Sequence, residues 1–586
     1  MMSAWRLAIR SLRHYWRTNV GVVLGLAVGS MILTGSLLVG DSVRYSLLRL
    51  AALRTGLTEF AVTTGDRFAR IALADGMGAE LGESAVVAPV LVTRGSVGAP
   101  GAGRRVSGVQ VLGVDSRFHA LAPNPWTGAE GGASGKVFFS AALAATLPMQ
   151  PGDQLLIRLG KAGSIPMDAP LSSDEDTIIA WRLQYGGVYP DEHFGRFHMQ
   201  ANQVAPLNAF VSLPELAEQI ERPGRCNLFL IGSANGPVRA RGDEAFSLST
   251  DRVRTALLNA WEVRDAELEI LALPEIGQLE IRSPRVFLDP AVELAADGIA
   301  PSADGYPVLT YLANGLRFGS HTTPYSVVSA IPARKLAEWT GLTPEQTGPG
   351  RIVITEWLAE DLDAAIGDRI EMTYYVMGAR RSFDERVAAL TIAAILPAGP
   401  GAWADPSLLP DFPGLTDSAT CRDWEPGFPL DLDRIRPVDE EYWEEFRGTP
   451  KAFISLEQGR EIWGNRFGEV TAIRFSAIRF SADQGEGLDL AGVLKRNLAP
   501  EEFGLQVVPL RAQAMRAGRQ SMSFSSLFLS FSIFLVAAAL LLSALLYIFS
   551  VDRRSVQVGT LLAIGFTPGR VIRLFLRDGH RVLRAP

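Results

Sequence analysis

Two long runs without charge frame this chain. From Ser521 to Val551 no Asp, Glu, Lys or Arg occurs, and the middle reads SLFLSFSIFLVAAALLLSALLYIF; Val20–Val39 is a second uncharged run, of 20 residues. As a helix the longer run reaches roughly 45 Å, against about 30 Å for the hydrocarbon of a bilayer. Both runs read as transmembrane helices, over 20–39 and 521–551. The first is too long for the apolar part of a signal peptide and lacks the small-residue cleavage site that ends one. Ahead of it, Trp5, Ile9, Leu12 and Trp16 recur at helical spacing, with Arg6, Arg10, Arg13 and Arg17 each one residue later. That pattern predicts an amphipathic helix over 1–17 with a basic stripe suited to a membrane surface. Asp41–Leu53 keeps a helical, partly apolar pattern and reads as a stalk. Pro509 opens a second stalk, through Ala512 and Met515, into the later run.

Between the runs the pattern changes to short β-rich segments, such as VSGVQVLGVD at 106–115 and VAALTIAAIL at 387–396, with Pro/Gly loops between them. The region repeats itself. VFFSAALAATLPMQPGDQLLIRL begins at Val137 and RIVITEWLAEDLDAAIGDRIEMTYY at Arg351. Each reads as a strand, a cap (Ser140, Thr355), a short helix, a Gly-Asp turn (Gly152-Asp153, Gly367-Asp368) and a second strand. Glycine suits the turn because it takes positive φ cheaply. PLNAFVSLPELAEQI from Pro206 and PKAFISLEQGREIW from Pro450 form a second matched pair, with Ser212 and Ser455 near helix starts. Two pairs in the same order predict tandem α+β units, about 57–265 and 270–507, the second carrying an insertion over 398–448.

Charge orients this layout. The formal net charge is -7, yet 1–17 carries four arginines and no acid, and 552–586 carries seven arginines against Asp552 and Asp578. Basic flanks mark cytoplasmic ends, which places the acidic middle outside and makes nucleic acid an unsuitable partner. Two cysteines, Cys226 and Cys421, are too few for a disulfide framework; a single bridge and two buried thiols both remain open. The expected fold class is a membrane protein: two transmembrane α-helices flanking a large α+β extracytoplasmic domain, 41–520, with an internal tandem repeat.

Three stretches resemble the MacB/FtsX-type ABC transporter permeases. VLGVDSRFHAL at 111–121 is similar to an early strand of the MacB-like periplasmic core, and the unit at 137–159 to the strand–helix–strand that follows it. Asp552–Gly565, DRRSVQVGTLLAIG, is similar to the family's segment after its second span, usually written E-R-R-x-E-I-G-x-L-x-A-I-G, with Gln557 standing for a glutamate. The resemblance implies an inner-membrane subunit with both ends cytoplasmic, and a coupling segment over 552–586 that docks on a separate ABC ATPase. The coupling residues it marks are Asp552, Arg553, Arg554, Gln557, Gly559, Leu561, Leu562, Gly565 and Arg570. It also implies a second permease copy and contact with a periplasmic adaptor, besides the lipid bilayer. The chain ends RDGHRVLRAP where such permeases begin a further span, which reads as a fragment, a frameshifted end or a half-permease.

Enzymatic signatures are lacking in the sequence. There is no G-x-x-x-x-G-K-[ST] loop, no H-E-x-x-H and no G-x-S-x-G. The expectation is a non-catalytic subunit without cofactor or metal. His193 and His198 lie near Asp191 and Glu192, where a solvated loop is the plain reading; Ser140, Ser212 and Ser455 read as caps rather than nucleophiles. The competing expectation is a membrane-anchored binding or adhesion protein that works without an ATPase.

Overall fold

The computed structural model describes residues 10, 13–14, 16–99, 104–124, 134–160, 178–200, 204–233, 248–299, 304–377, 383–398, 401–412, 414–424, 430–476, 489–520 and 523–583. Most of the helix expected over 1–17 lies outside them. Two compact units emerge: Met1–Thr55, His198–Ala201 and Arg511–Pro586 form one, and Gly56–Phe197 with Asn202–Leu510 the other.

Local chemistry builds the larger unit twice. Ser140 Oγ accepts from Leu143 N–H and Thr355 Oγ1 from Leu358 N–H, each opening a short helix, Ala141–Thr146 and Glu356–Leu362. At the turns beyond, Gly152 and Gly367 hold φ of 101° and 94°. The Asp153 carboxylate accepts from Gln150 N–H at 2.7 Å and that of Asp368 from Ala365 N–H at 2.8 Å, the local bond that favours Asp in turns. Ser455 caps its helix through Gln458 N–H, whereas Ser212 makes no such bond.

The first repeat contains β1 (Thr58–Thr63), β2 (Ala69–Arg70), β3 (Ala85–Gly98), β4 (Arg105–Val114), β5 (Lys136–Ser140), β6 (Gln154–Gly160), β7 (Ile178–Tyr189), β8 (Asn208–Ser212), β9 (Arg225–Cys226) and β10 (Leu228–Ser233). The second contains β11 (Glu269–Leu273), β12 (Gln278–Arg282), β13 (Tyr306–Phe318), β14 (His321–Ile331), β15 (Arg351–Thr355), β16 (Arg369–Met377), β17 (Phe383–Leu396), β18 (Ala452–Ser455) and β19 (Ala472–Ser476). A last strand, β20 (Gln506–Val508), follows.

One sheet runs β20-β1-β10-β3-β4-β8-β5-β7-β6, with β6 also paired to β3; the other runs β11-β12-β19-β13-β14-β18-β15-β17-β16, with β16 also paired to β13. In each, six strands therefore close into a barrel and three more extend from it. The parallel pairs correspond, β4/β8 to β14/β18 and β5/β7 to β15/β17. Even the irregularity corresponds: the register shifts between Val137 and Phe138 in one barrel and between Ile352 and Val353 in the other. Inward residues such as Val111, Phe139, Ile157, Leu309, Ile354 and Met372 are buried in one contiguous core, the arrangement a closed barrel imposes on alternate positions.

The outer strand of the first sheet comes from the far end of the chain. β20 pairs antiparallel with β1, Thr63 opposite Gln506 and Ala61 opposite Val508. β11 holds the matching edge of the second sheet, joined to β12 by a local hairpin. The chain thus enters this unit at Gly56 and leaves it at Leu510 along one shared sheet edge.

Crossing ion pairs tie the repeats together. Arg67, 4% exposed, donates to Ala266 O at 2.7 Å and to both Asp289 oxygens at 2.6 and 2.7 Å. From the other side Arg285 reaches Asp66 at 2.7 Å and Glu267 at 3.7 Å. Within the first repeat, Arg70 forks onto the buried Asp265, 2.9 Å from each oxygen.

In the smaller unit, helix Trp16–Thr55 runs against helix Ser523–Asp552. A Cβ built on Gly29 would sit 3.1 Å from Ala539 Cβ, so the small residue sets the close approach. Among the described residues, no helix is long and apolar enough to cross a membrane. This corrects the expected transmembrane helices at 20–39 and 521–551, and with them the membrane-protein fold class. The first uncharged run lies inside a 40-residue helix whose other turns carry Arg17, Asp41, Arg44, Arg49 and Arg54. Glycines and serines interrupt the first run, and serines the second. The α+β body with two matched sheets is the architecture that stands.

Candidate functional site

The segment singled out for coupling forms a bent helical end within the smaller unit. Helix Ser523–Asp552 stops, and helix Ser555–Ala563 begins after Arg554. At its far end Gly565 takes φ of 95°. Its N–H donates to Leu562 O at 3.1 Å while Phe566 N–H reaches Leu561 O at 3.0 Å. That pair of bonds is the Schellman ending, which needs a left-handed residue just past the helix. Helix Pro568–Leu583 then starts with proline in its first turn, where the missing N–H is not needed.

Arg554 is the inner corner of this bend. It is buried, and its guanidinium lies over the Phe575 ring, 5.8 Å from the centroid. Tyr547 Oη donates to Phe575 O at 3.0 Å, which pins the last helix to the end of the long one. Leu561 and Val571 are buried in the same seam. Gln557 is half-buried, and its Oε1 is enclosed without a hydrogen-bond partner among the described residues.

The remaining marked residues face outward. Asp552, Arg553, Gly559, Leu562, Gly565 and Arg570 are exposed. Around them stand Val556, 82% exposed, and Ile564, 67% exposed. The marked set therefore divides in two: Arg554 and Leu561 hold the bend together, and the other exposed positions present a mixed basic and apolar surface. Such a surface can receive a partner; it holds no arrangement for bond chemistry.

A second cluster, which the sequence pattern does not announce, lies where the insertion of the second repeat meets its barrel. Lys451, just before β18, is 5% exposed. Its Nζ lies 4.2 Å from the Trp357 ring centroid, 4.6 Å from that of Tyr442 and 3.5 Å from Asp439 Oδ1. Burial pulls the amine down to about 8, against the upward pull of Asp439 and Asp361. Arg436 clamps Asp439 through Nε and Nη2, both at 2.9 Å, and Asp361 at 2.7 Å. The cavity beside them, lined by Tyr325, Cys421, Trp424, Asp439 and Trp443, has about 20 Å³, room for a water and not for a substrate. The cluster ties the insertion to the barrel.

Cys226 and Cys421 are both free and buried, and burial raises both thiols, Cys421 to about 12. His193 Nδ1 lies 2.7 Å from Asn124 O. Among the described residues no group of three His, Cys, Asp or Glu could hold a metal ion.

Comparison of the sequence with protein-family models gives no match, and comparison with curated proteins gives none. Among solved structures the chain is similar to the periplasmic region of MacB from Actinobacillus actinomycetemcomitans, at 11% identity and a TM-score of 0.21, over 35% of this chain and 84% of that one. At that score the similarity carries no argument about fold or function.

Proposed function

We propose that this chain is the mechanical, permease-type subunit of an ABC transport system of the MacB/FtsX type, in which a separate subunit hydrolyses ATP. The single observation that carries the reading is the 552–570 bend: its D-R-R-x-x-Q-x-G-x-L-L sequence folds as a helical corner pinned at Arg554, with Asp552, Arg553, Leu562 and Arg570 turned outward. The ATPase docks there, and its closing moves the corner. The motion passes along helix Ser523–Asp552 to the segment that follows β20 in reverse order along the chain. The working end is the two-repeat body, whose entry and exit share the β1/β20 edge. The cargo class that such motion serves is lipid-linked, peptide or drug-like, exported or extracted at the inner membrane, with a second copy of this chain completing the assembly.

The test is capture. The full chain and a version lacking 552–577 are each used to pull down partners from detergent-solubilised membranes. An ABC-type ATPase that comes down with the full chain and is lost with the shortened one supports the reading. An ATPase absent from both leaves a binding or adhesion protein that works alone as the better account.

A further inference from the structure

The two matched sheets end differently. At the edge of the first, β20 is three residues long and is stopped by Pro509, two of the devices that keep a sheet edge from recruiting another strand. At the matching edge of the second, β11 reads EILAL, five residues with neither proline nor lysine. It pairs with β12 on one side, from Glu269 opposite Arg282 to Leu273 opposite Gln278. Among the described residues no strand pairs with it on the other. An antiparallel edge turns alternate N–H and C=O groups outward. A cleft of about 1070 Å³ follows this edge, and Leu268, Glu269, Ile270 and Leu271 line it in unbroken succession. Successive side chains of a strand point to opposite faces, so a cleft that meets all four runs along the backbone edge and not over one face. Val263, Leu268 and Leu490 are buried beneath it, the last at the start of helix Leu490–Asn497.

Charge in the cleft is one-sided. Arg225, Arg264 and Lys495 line it. Arg225 donates to Phe68 O at 2.7 Å and to Arg264 O at 3.1 Å, and Lys495 to Asn259 O at 2.8 Å. Among the described residues none of the three cations meets a carboxylate. Of the acids that line the cleft, Glu262 is held by Arg70 at 2.9 Å and Glu269 by Arg282 at 3.5 Å, which leaves Asp489. The same contacts gather the cations at one end, where the turn Val263–Ala266 leads into β11. We propose that the β11 edge is a peptide-binding site, which takes an extended acidic segment of another protein as a further strand of the second sheet. β11 spans about 17 Å, the length of a short peptide strand. Main-chain hydrogen bonds to the edge hold the peptide, its carboxylates meet Arg225, Arg264 and Lys495, and its apolar side chains cover Ile270, Leu279 and Leu490. An anionic amphiphile shares the attraction to cations and apolar floor but has no use for a strand edge; the edge selects a peptide. The site lies within the two-repeat body and is independent of the ATPase reading.

Fluorescence anisotropy with the full chain tests this. The probes are two fluorescein-labelled hexapeptide pools, Asp-Glu followed by alternating aliphatic residues and threonine, and the same composition with the acids last. Together they cover both strand directions. The expected result is saturable binding of at least one pool. N-methylation of the central amides of that pool should weaken binding roughly tenfold, because it removes the main-chain donors. Arg264→Glu changes an exposed side chain and should leave the melting temperature as it is, while weakening binding about fivefold or more at low salt. No saturable binding of either pool below about 1 mM overturns the proposal, as does an affinity that Arg264→Glu leaves untouched. Equal binding of the N-methylated pool overturns it too, and displacement of that pool by dodecyl phosphate then assigns the cleft to an anionic amphiphile.

Discussion

Lys451 offers a quantity that can be worked from the structure and then measured. Its ammonium is enclosed by Trp357, Tyr442 and Asp439 and sits at about 8 in the folded chain, against an ordinary 10.5. Between those values the unfolded chain still holds a proton that the folded chain has released. Stability from this group therefore rises with pH across the window, and below about pH 8 the folded state carries the full burial penalty. From pH 7 to pH 10 the gain is about 2.5 kcal/mol. The perturbation is Lys451→Met, which keeps the apolar stem. It leaves Asp439 bound to Arg436 through two 2.9 Å contacts, so no carboxylate is orphaned. The raised thiols of Cys226 and Cys421 push stability the other way as pH rises, but they do so in both proteins and cancel in the difference. Denaturant unfolding followed by tryptophan emission, at pH 7 and pH 10, gives the four free energies. Wild type should gain about 2.5 kcal/mol on the variant between the two pH values. Parallel pH profiles, agreeing within about 0.5 kcal/mol, would refute the reasoning, because the amine would then titrate alike folded and unfolded.

Three further outcomes follow from named contacts. Gly565→Ala forces a side chain into φ of 95° and should cost about 1–2 kcal/mol, seen as a lower melting temperature and weaker ATPase capture. Ser140→Ala and Thr355→Ala each remove a helix cap worth about 1 kcal/mol. Ser140 should cost more in a denaturant titration, because it also accepts from Asn208 N–H at 3.1 Å. Arg67→Met breaks a buried, forked pair with Asp289 and should cost about 3 kcal/mol or more. Arg285→Met should cost less, since its closest partner, Asp66, is 62% exposed.

The parts of the fold legible in the sequence are those decided within a few residues. Ser140 and Thr355 cap helices that start beside them, and the Gly-Asp turns close on bonds three residues long. Asp115 caps the short helix Ser116–Ala120 in the same way. Pairings between distant segments leave no local trace. Nothing about Gln506–Val508 says that it completes the sheet begun by Thr58–Thr63, or that Arg67 will meet Asp289. Lys451 looks like an ordinary strand-flanking lysine, and Asn208 occupies the matching place in the first repeat. Its burial depends on an insertion folding back over it. Absence of charge over a window also leaves the bounds of a helix open: Trp16–Thr55 continues well beyond its uncharged run into charged turns. Of the coupling residues, the resemblance marked the bend as a whole. It could not separate Arg554 and Leu561, which hold the bend, from Arg553, Leu562 and Arg570, which face outward.

The account's central claim is that ATP hydrolysis by a partner subunit moves the two-repeat body through its shared entry and exit edge. Val62 lies opposite Val507 across β1 and β20. Cysteines at these two positions, in the full chain assembled with its ATPase, report whether that edge stays closed. The account predicts a crosslinking rate that changes at least about threefold, well under 1 kcal/mol of bias, between nucleotide-free and ATP-bound complexes, and no change when 552–577 is removed. Equal rates with and without ATP in the intact complex would contradict it.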